Sequence, residues 1–335
     1  MSHHSIIYTK PTQQSGQPPQ IAIQARGLSK TYAGTKRAPA KLALNNLSLD
    51  IPQGCIFGLL GPNGAGKSTF INILAGTVVK TAGQVSVWGD DLDRDPRQVR
   101  ANIGIVPQEL NIDAFFTPRE LLEFNAGLYG VPRAERRTDE ILDMVGLSDK
   151  AHAYARTLSG GMRRRLLVAK AMVHQPPILV LDEPTAGVDV TLRQRLWDNI
   201  RELNASGVTI VLTTHYLEEA QALCDQIAIL DHGRILTCQP TSTLLSSAGR
   251  KDVTIALPSG VPKQWPEALL ALQPVIAEGG VTFRFDPADM TVGAILTSLI
   301  EHGIEIGDVS TSEPDLEDIF LEMTGRMDQE QNNDV

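Results

Sequence analysis

The chain has 335 residues, a net charge of −9, and 42% hydrophobic and 21% charged residues. That length allows one large domain plus a smaller one, and the composition is that of a globular chain with its own core. The acidic balance does not point to nucleic acid as a direct partner, and three isolated cysteines, Cys55, Cys224 and Cys238, argue against a disulfide scaffold or a zinc site.

No apolar run reaches the length of a bilayer crossing, and the N-terminus lacks the charged stub and apolar segment of a secretory signal. The expectation is a cytosolic protein that meets a membrane only through a protein partner. Residues 1–20, with Pro11, Pro18 and Pro19 among Gln and Ser, read as a disordered tail. Alternation then predicts strands over 21–25 and 44–51, the second closed by Pro52 and Gly54. Tyr32, placed between these strands, has two readings: stacking on a purine face or packing at a sheet edge.

The apolar run from Cys55 to Leu60 leads into Gly61-Pro62-Asn63-Gly64-Ala65-Gly66-Lys67-Ser68-Thr69, and Phe70 to Leu74 has helical character. Strand, glycine-rich turn and helix in that order are what a phosphate-binding P-loop needs. Its glycines let backbone N–H groups point inward, and the helix start adds unpaired donors. Lys67 then reaches the terminal phosphates and Ser68 is placed to ligate Mg2+.

Short strands are predicted over 83–88 and 103–106. Gln108 follows the latter, either as a ligand to Mg2+ or water or as an ordinary loop residue. Thr117-Pro118-Arg119-Glu120 is a helix start with a capping box, and helical spacing continues to about Gly146. Leu158-Ser159-Gly160-Gly161-Met162 precedes a helical pattern from Arg163 to Val173 and has the form of a second anion site at a helix N-terminus. Arg163, Arg164 and Arg165 read as a solvated basic face.

Ile178 to Leu181 is apolar without alternation, as in a parallel strand buried on both faces, and it ends in Asp182-Glu183-Pro184. Two carboxylates at such a strand end need partners. Asp182 suits the Mg2+ shell, and Glu183 suits a base or water-orienting role. A helix with Leu192, Leu196, Ile200 and Leu203 on one face follows, then a buried strand over 208–213 ending at Thr214-His215. His215 is either a locally satisfied histidine or a contact to the γ-phosphate. Strands at 227–230 and 235–236 flank the turn Asp231-His232-Gly233. Beyond a helical link, strands are predicted near 253–257, 275–277, 281–285 and 304–306, with a helix starting at Asp286-Pro287-Ala288-Asp289.

Taken together, GPNGAGKST (61–69), VPQE (106–109), LSGGM (158–162), ILVLDEP (178–184), AGVD (186–189) and TTH (213–215) resemble the nucleotide-binding subunit of an ABC transporter across residues 22–238. TTHYLEEAQALCDQIAIL (213–230) and SEPDLEDIFLEMTG (312–325) are similar to the ATPases of bacterial ABC-2-type exporters, a class that includes drug, antibiotic and sodium efflux subunits. In the LSGGM segment, which matches the family's signature sequence, Met162 stands where glutamine is commoner.

The resemblance implies an α/β P-loop NTPase with these parts: an ABC nucleotide-binding domain over 21–238, a helical subdomain at about 110–173, a C-terminal α/β accessory domain over 239–326 and a flexible tail over 327–335. It implies a head-to-tail homodimer enclosing two Mg-ATP, with the P-loop of one chain facing Ser159, Gly160 and Gly161 of the other. Ser68, Gln108 and Asp182 would organise Mg2+, Glu183 would polarise water, His215 would stabilise the closed site, Asp189 would couple the two sites and Tyr32 would stack on adenine. A separate integral-membrane permease would hold the ATPase on the cytoplasmic face of the inner membrane. An importer ATPase, a soluble ABC ATPase of translation or DNA maintenance, and a non-hydrolysing dimerisation switch are the competing readings.

Overall fold

The computed structural model describes residues 19–34, 39–109, 111–185, 190–247, 251–262, 265–277, 280–286, 289–312, 316–317, 319–321 and 323. The chain divides into two compact units, Met1–Thr241 and Ser242–Val335.

The first unit opens with two long strands, β1 (Ile21–Tyr32) and β2 (Lys41–Pro52), which pair antiparallel. Both run past the predicted alternation, so Tyr32 is the last residue of β1, opposite Lys41, rather than a residue between strands. Next come β3 (Ile56–Leu60), α1 (Lys67–Leu74), β4 (Ala82–Val87), the two-residue β5 (Asp90–Asp91), α2 (Pro96–Ala101) and β6 (Ile103–Val106). The helical segment holds α3 (Pro118–Leu128), α4 (Thr138–Met144) and α5 (Gly160–Met172). Then follow β7 (Ile178–Asp182), α6 (Val190–Ala205), β8 (Thr209–Thr214), α7 (Leu217–Leu223), β9 (Gln226–Asp231) and β10 (Arg234–Pro240), and α8 (Thr241–Ser247) starts at the unit boundary.

Two sheets result. β2-β1-β4-β5 is antiparallel, whereas in β10-β9-β3-β8-β7-β6 the strands from β9 to β6 run parallel. The residues of β3, and the first four of β7, are buried, as their unbroken apolar runs require. Phe70, Ile73 and Leu74 of α1 join a single core with Ile23, Leu44, Phe57, Leu59, Val180 and Val211, so this helix is gripped by both sheets. Burial of each large side chain there is worth about 2–3 kcal/mol. The helix that opens at the P-loop therefore cannot shift without disturbing the main core.

In the helical segment, Thr117 caps α3 as predicted. Its Oγ1 accepts from Glu120 N at 3.3 Å, and Glu120 Oε2 accepts from Thr117 N at 2.9 Å. Among the described residues, no helix is long and apolar enough to cross a membrane.

The second unit contains β11 (Lys251–Ala256), α9 (Glu267–Leu270), β12 (Val275–Ala277), β13 (Gly280–Phe285), α10 (Val292–Glu301) and β14 (Val309–Ser312). Its antiparallel sheet has the order β12-β13-β11-β14, the split β-α-β arrangement. Two predicted features move. Ile304–Ile306 is not a strand: Gly303 takes φ 71°, Ile304 N donates to Leu299 O and Gly303 N donates to Ile300 O. That closes α10 in a Schellman motif and sends Ile304 and Ile306 into the core. The α10 cap is Thr291, whose Oγ1 accepts from Ala294 N, while Asp286 starts a turn instead.

Candidate active site

The P-loop is held from two distant parts of the sequence, residues 43–45 and 230–233. Gly66, at the N-cap of α1, has φ 117°, and a Cβ there would sit 2.6 Å from the Ala43 carbonyl oxygen. Only glycine meets both conditions. A side chain at Gly61 would run into the Leu230 carbonyl. Gly233 N, in the β9–β10 turn, donates to Ala65 O at 2.8 Å, and Asn45 N donates to Gly233 O at 2.9 Å. The turn Asp231-His232-Gly233 thus braces the P-loop as well as joining two strands, a role with no local signal in the sequence.

Among the described residues no side chain caps the N-terminus of α1, so this helix end faces the loop with its own backbone donors. Lys67 is buried, and its Nζ donates to Gly61 O at 2.5 Å and Pro62 O at 3.1 Å. Burial pulls its pKa below the usual lysine range, against the opposing fields of Glu183 and Asp182. An open cleft of about 490 Å³ lies here, lined by Tyr32, Lys41, Ala43, Asn63, Gly64, Gly66, Lys67, Ser68, Thr69, Gln108, Glu183 and His215. Tyr32 is exposed at this cleft, with its OH 3.4 Å from Thr69 Oγ1 and Lys30 Nζ 4.9 Å from its ring centroid.

Across the cleft, the ends of three adjacent parallel strands converge. β6 delivers Gln108, β7 delivers Asp182 and Glu183, and β8 delivers Thr213, Thr214 and His215. Gln108 Nε2 donates to Glu183 Oε2 at 2.8 Å, and His215 Nδ1 lies 3.2 Å from Glu183 Oε1. Glu183 itself has φ 46°, a left-handed conformation that costs a non-glycine residue about 1 kcal/mol or more. Its N–H donates to Thr213 O at 3.0 Å, which pins that conformation. Asp182 Oδ1 accepts from Thr213 Oγ1 at 2.5 Å, and burial raises the pKa of this carboxyl against that hydrogen bond. Among the described residues Asp182 has no ion-pair partner, so a partly buried carboxylate stands behind the cleft without a paired cation.

Ser159 and Gly160 are exposed, and neither they nor Gly161 line the cleft. Helix α5 begins at Gly160, earlier than the predicted Arg163, with Ser159 Oγ accepting from Met162 N at 3.3 Å. The three arginines that follow do not form a solvated face. Arg164 is buried and Arg165 Nη1 donates to Val145 O at 2.6 Å and Gly146 O at 2.8 Å. Pro62 is half-buried and Gly61 and Ala65 are buried; none of these three lines the cleft. Asp189, with the rest of 186–189, lies outside the described residues.

A family profile described as ABC transporter matches residues 44–186. The daunorubicin/doxorubicin resistance ATP-binding protein DrrA of Streptomyces peucetius is 37% identical over 319 residues, covering 92% of this chain and 93% of that protein. The linearmycin resistance ATP-binding protein LnrL of Bacillus subtilis (strain 168) is 33% identical over 312 residues, covering 91% and 98%. The Nod factor export ATP-binding protein I of Ralstonia nicotianae is 36% identical over 313 residues, covering 92% and 98%. Among solved structures, a dimeric bacterial ABC transporter cassette, MJ0796, superposes with a TM-score of 0.59 at 28% identity over 65% of this chain and 98% of the cassette. An ATP-binding subunit of an ABC transporter gives 0.60 at 27% identity over 68% and 93%. With the P-loop cleft, the converging strand ends and this breadth of similarity in view, the chain belongs to the ATP-binding subunits of ABC transporters, an ATPase related to the ABC-2-type drug and Nod-factor export ATPases.

Proposed function

We propose that this ATPase powers an exporter, working as a head-to-tail homodimer on a separate integral-membrane permease. The observation that carries the reading is the separation of two glycine-rich helix starts in one chain, each of the form that takes an anion. Lys67 opens one in the cleft, and Ser159–Gly161 opens the other outside it. A second copy turned about a two-fold axis would complete each cleft with the other's Ser159, Gly160 and Gly161. Relatives named for drug resistance and Nod factor export, and a solved cassette described as dimeric, support both halves of the proposal.

In this reading the P-loop amides and Lys67 bind the ATP phosphates, and Tyr32 stacks on the base. Ser68, Gln108 and Asp182 would hold Mg2+; an exposed hydroxyl, an amide oxygen and a carboxylate lacking a paired cation are the hard oxygen donors that ion takes. The metal, when bound, neutralises phosphate charge. Glu183 orients and polarises the attacking water, and His215, at the same carboxylate, holds the arrangement. The cytoplasmic face of the membrane is the implied location. The exposed apolar residues beyond Gln108, Phe115, Phe124 and Leu128, are candidates to meet the permease.

The test is Glu183→Gln. Binding of ATP should be retained, turnover should fall at least 100-fold, and ATP should convert the chain to a stable dimer by light scattering. Turnover at the wild-type rate would remove Glu183 from its role, and a monomer at saturating ATP would sink the dimer. Native co-purification from membranes would identify the permease; an importer-type binding-protein partner would overturn export.

A further inference from the structure

Arg164 is 4% exposed, yet it lies within a three-arginine run that reads from sequence as solvent-facing. It sits in the second turn of α5, the helix capped by Ser159. Its Nη1 donates to Pro107 O and Gln108 O, both at 3.0 Å, and its Nη2 reaches Glu183 O at 3.5 Å. Among the described residues no carboxylate forms an ion pair with it, so a buried guanidinium is held by backbone carbonyls alone. With Leu179, Leu181 and Pro184, Arg164 lines a small apolar cavity. A hydrophobic side chain would fit that space at less desolvation cost.

Those three carbonyls belong to the segments that carry the two hydrogen-bonded side chains of the site. Gln108 and Glu183 meet at 2.8 Å, and the strands before them, β6 and β7, are paired neighbours. The fork thus spans the backbone at both strand ends and sets the distance at which Gln108 and Glu183 face each other. Because Arg164 is on the helix that starts at Ser159, any displacement of that helix is passed to both segments.

We propose that Arg164 is a positioning residue for ATP hydrolysis. Its guanidinium links the Ser159 helix to the backbone under Gln108 and Glu183, so that engagement of a nucleotide at Ser159–Gly161 tightens the hydrolytic pair of the same chain. The inference rests on the roles given to Glu183 and to the head-to-tail dimer above.

The experiment compares wild type with Arg164→Met, Arg164→Lys and Glu183→Gln in the full chain, measuring kcat and KM for ATP hydrolysis, binding of a fluorescent ATP analogue and thermal melting. A misplacement of about 1 Å at a reacting centre can cost about 100-fold. Arg164→Met is expected to melt within a few degrees of wild type and bind the analogue within about threefold, while kcat drops about 10–100-fold. Arg164→Lys keeps the charge without the planar fork and should recover only part of that loss. The Hill coefficient for ATP should fall towards one in both variants. Wild-type kcat in a folded Arg164→Met overturns the proposal. If Arg164→Met does not fold, wild-type kcat and Hill coefficient in Arg164→Lys overturn it equally. If Glu183→Gln turns over normally, the underlying site assignment has failed; if only the Arg164 variants do, the linkage alone has failed.

Discussion

Gln108 and Glu183 are 75 positions apart in sequence, and a single hydrogen bond of 2.8 Å joins their side chains. The contact exists because β6 and β7 are adjacent parallel strands that end level with each other. With His215 on its other oxygen, the Glu183 carboxylate is fixed from two sides.

Removing one of those sides should loosen the carboxylate. Gln108→Ala is expected to lower kcat about 10–100-fold, the size of effect seen when a group that orients a site residue is deleted. Its metal dependence should shift too, since Gln108 is also assigned to Mg2+. A titration of ATPase rate against Mg2+ for both proteins checks this. An unchanged Mg2+ midpoint would leave Gln108 with the carboxylate alone.

The proposed composite site predicts complementation. In the proposed dimer, Lys67→Ala would disable a chain's own cleft, and Ser159→Arg would block the helix start it offers to its neighbour. Mixed in equal amounts, the two inactive variants should form heterodimers with one intact site, so ATPase activity returns to a measurable fraction of wild type. No activity in a mixture shown to contain heterodimers would refute the shared site.

Tyr32 should contribute by stacking. Tyr32→Ala is expected to weaken ATP and GTP binding alike, by about 1–3 kcal/mol, because every base offers a π-face. Tyr32→Phe should stay close to wild type, since the 3.4 Å separation between the phenol and Thr69 makes a weak bond. Equilibrium titration with both nucleotides distinguishes stacking from a merely structural edge.

How much of this was legible beforehand depended on how local the cause was. The P-loop, the capping box at Thr117 and the apolar β7 are set by turn chemistry, cap chemistry and two-sided burial, all visible within a few residues. Arg164 was not legible: three consecutive arginines look alike, and only the phase of α5 turns one inward to the carbonyls of Pro107 and Gln108. Nor was the bracing of Ala65 by Gly233, which arises from the pairing of β9 with β3. In the second unit, alternating isoleucines at 304 and 306 imitate a strand, whereas Val309–Ser312, with its hydroxyl side chains, forms one by pairing with β11.

A pH effect on stability follows from His174, after α5. Its ring stacks on Tyr129 with centroids 3.7 Å apart, and its Nε2 lies 3.2 Å from Ile103 O. Burial pushes the imidazole pKa down to about 4. As pH falls below about 6.5 the unfolded chain takes up this proton and the folded chain does not, so the stability present at neutral pH is lost down to about pH 4. The expected loss is about 2 kcal/mol between pH 7 and pH 5. Urea unfolding at the two pH values measures it, and His174→Gln should flatten the difference.

The left-handed backbone at Glu183 has a further consequence. Any L-residue placed there inherits the same discomfort, and only glycine escapes it. Glu183→Gly should therefore melt a few degrees above Glu183→Ala, by about 1 kcal/mol, while both are inactive. In the role proposed for Glu183, the substitution that relieves the backbone also removes the carboxylate held by Gln108 and His215. Backbone comfort and the hydrolytic role proposed for Glu183 thus pull in opposite directions on this one residue, and a thermostable variant of the ATPase has to find its stability elsewhere in the fold.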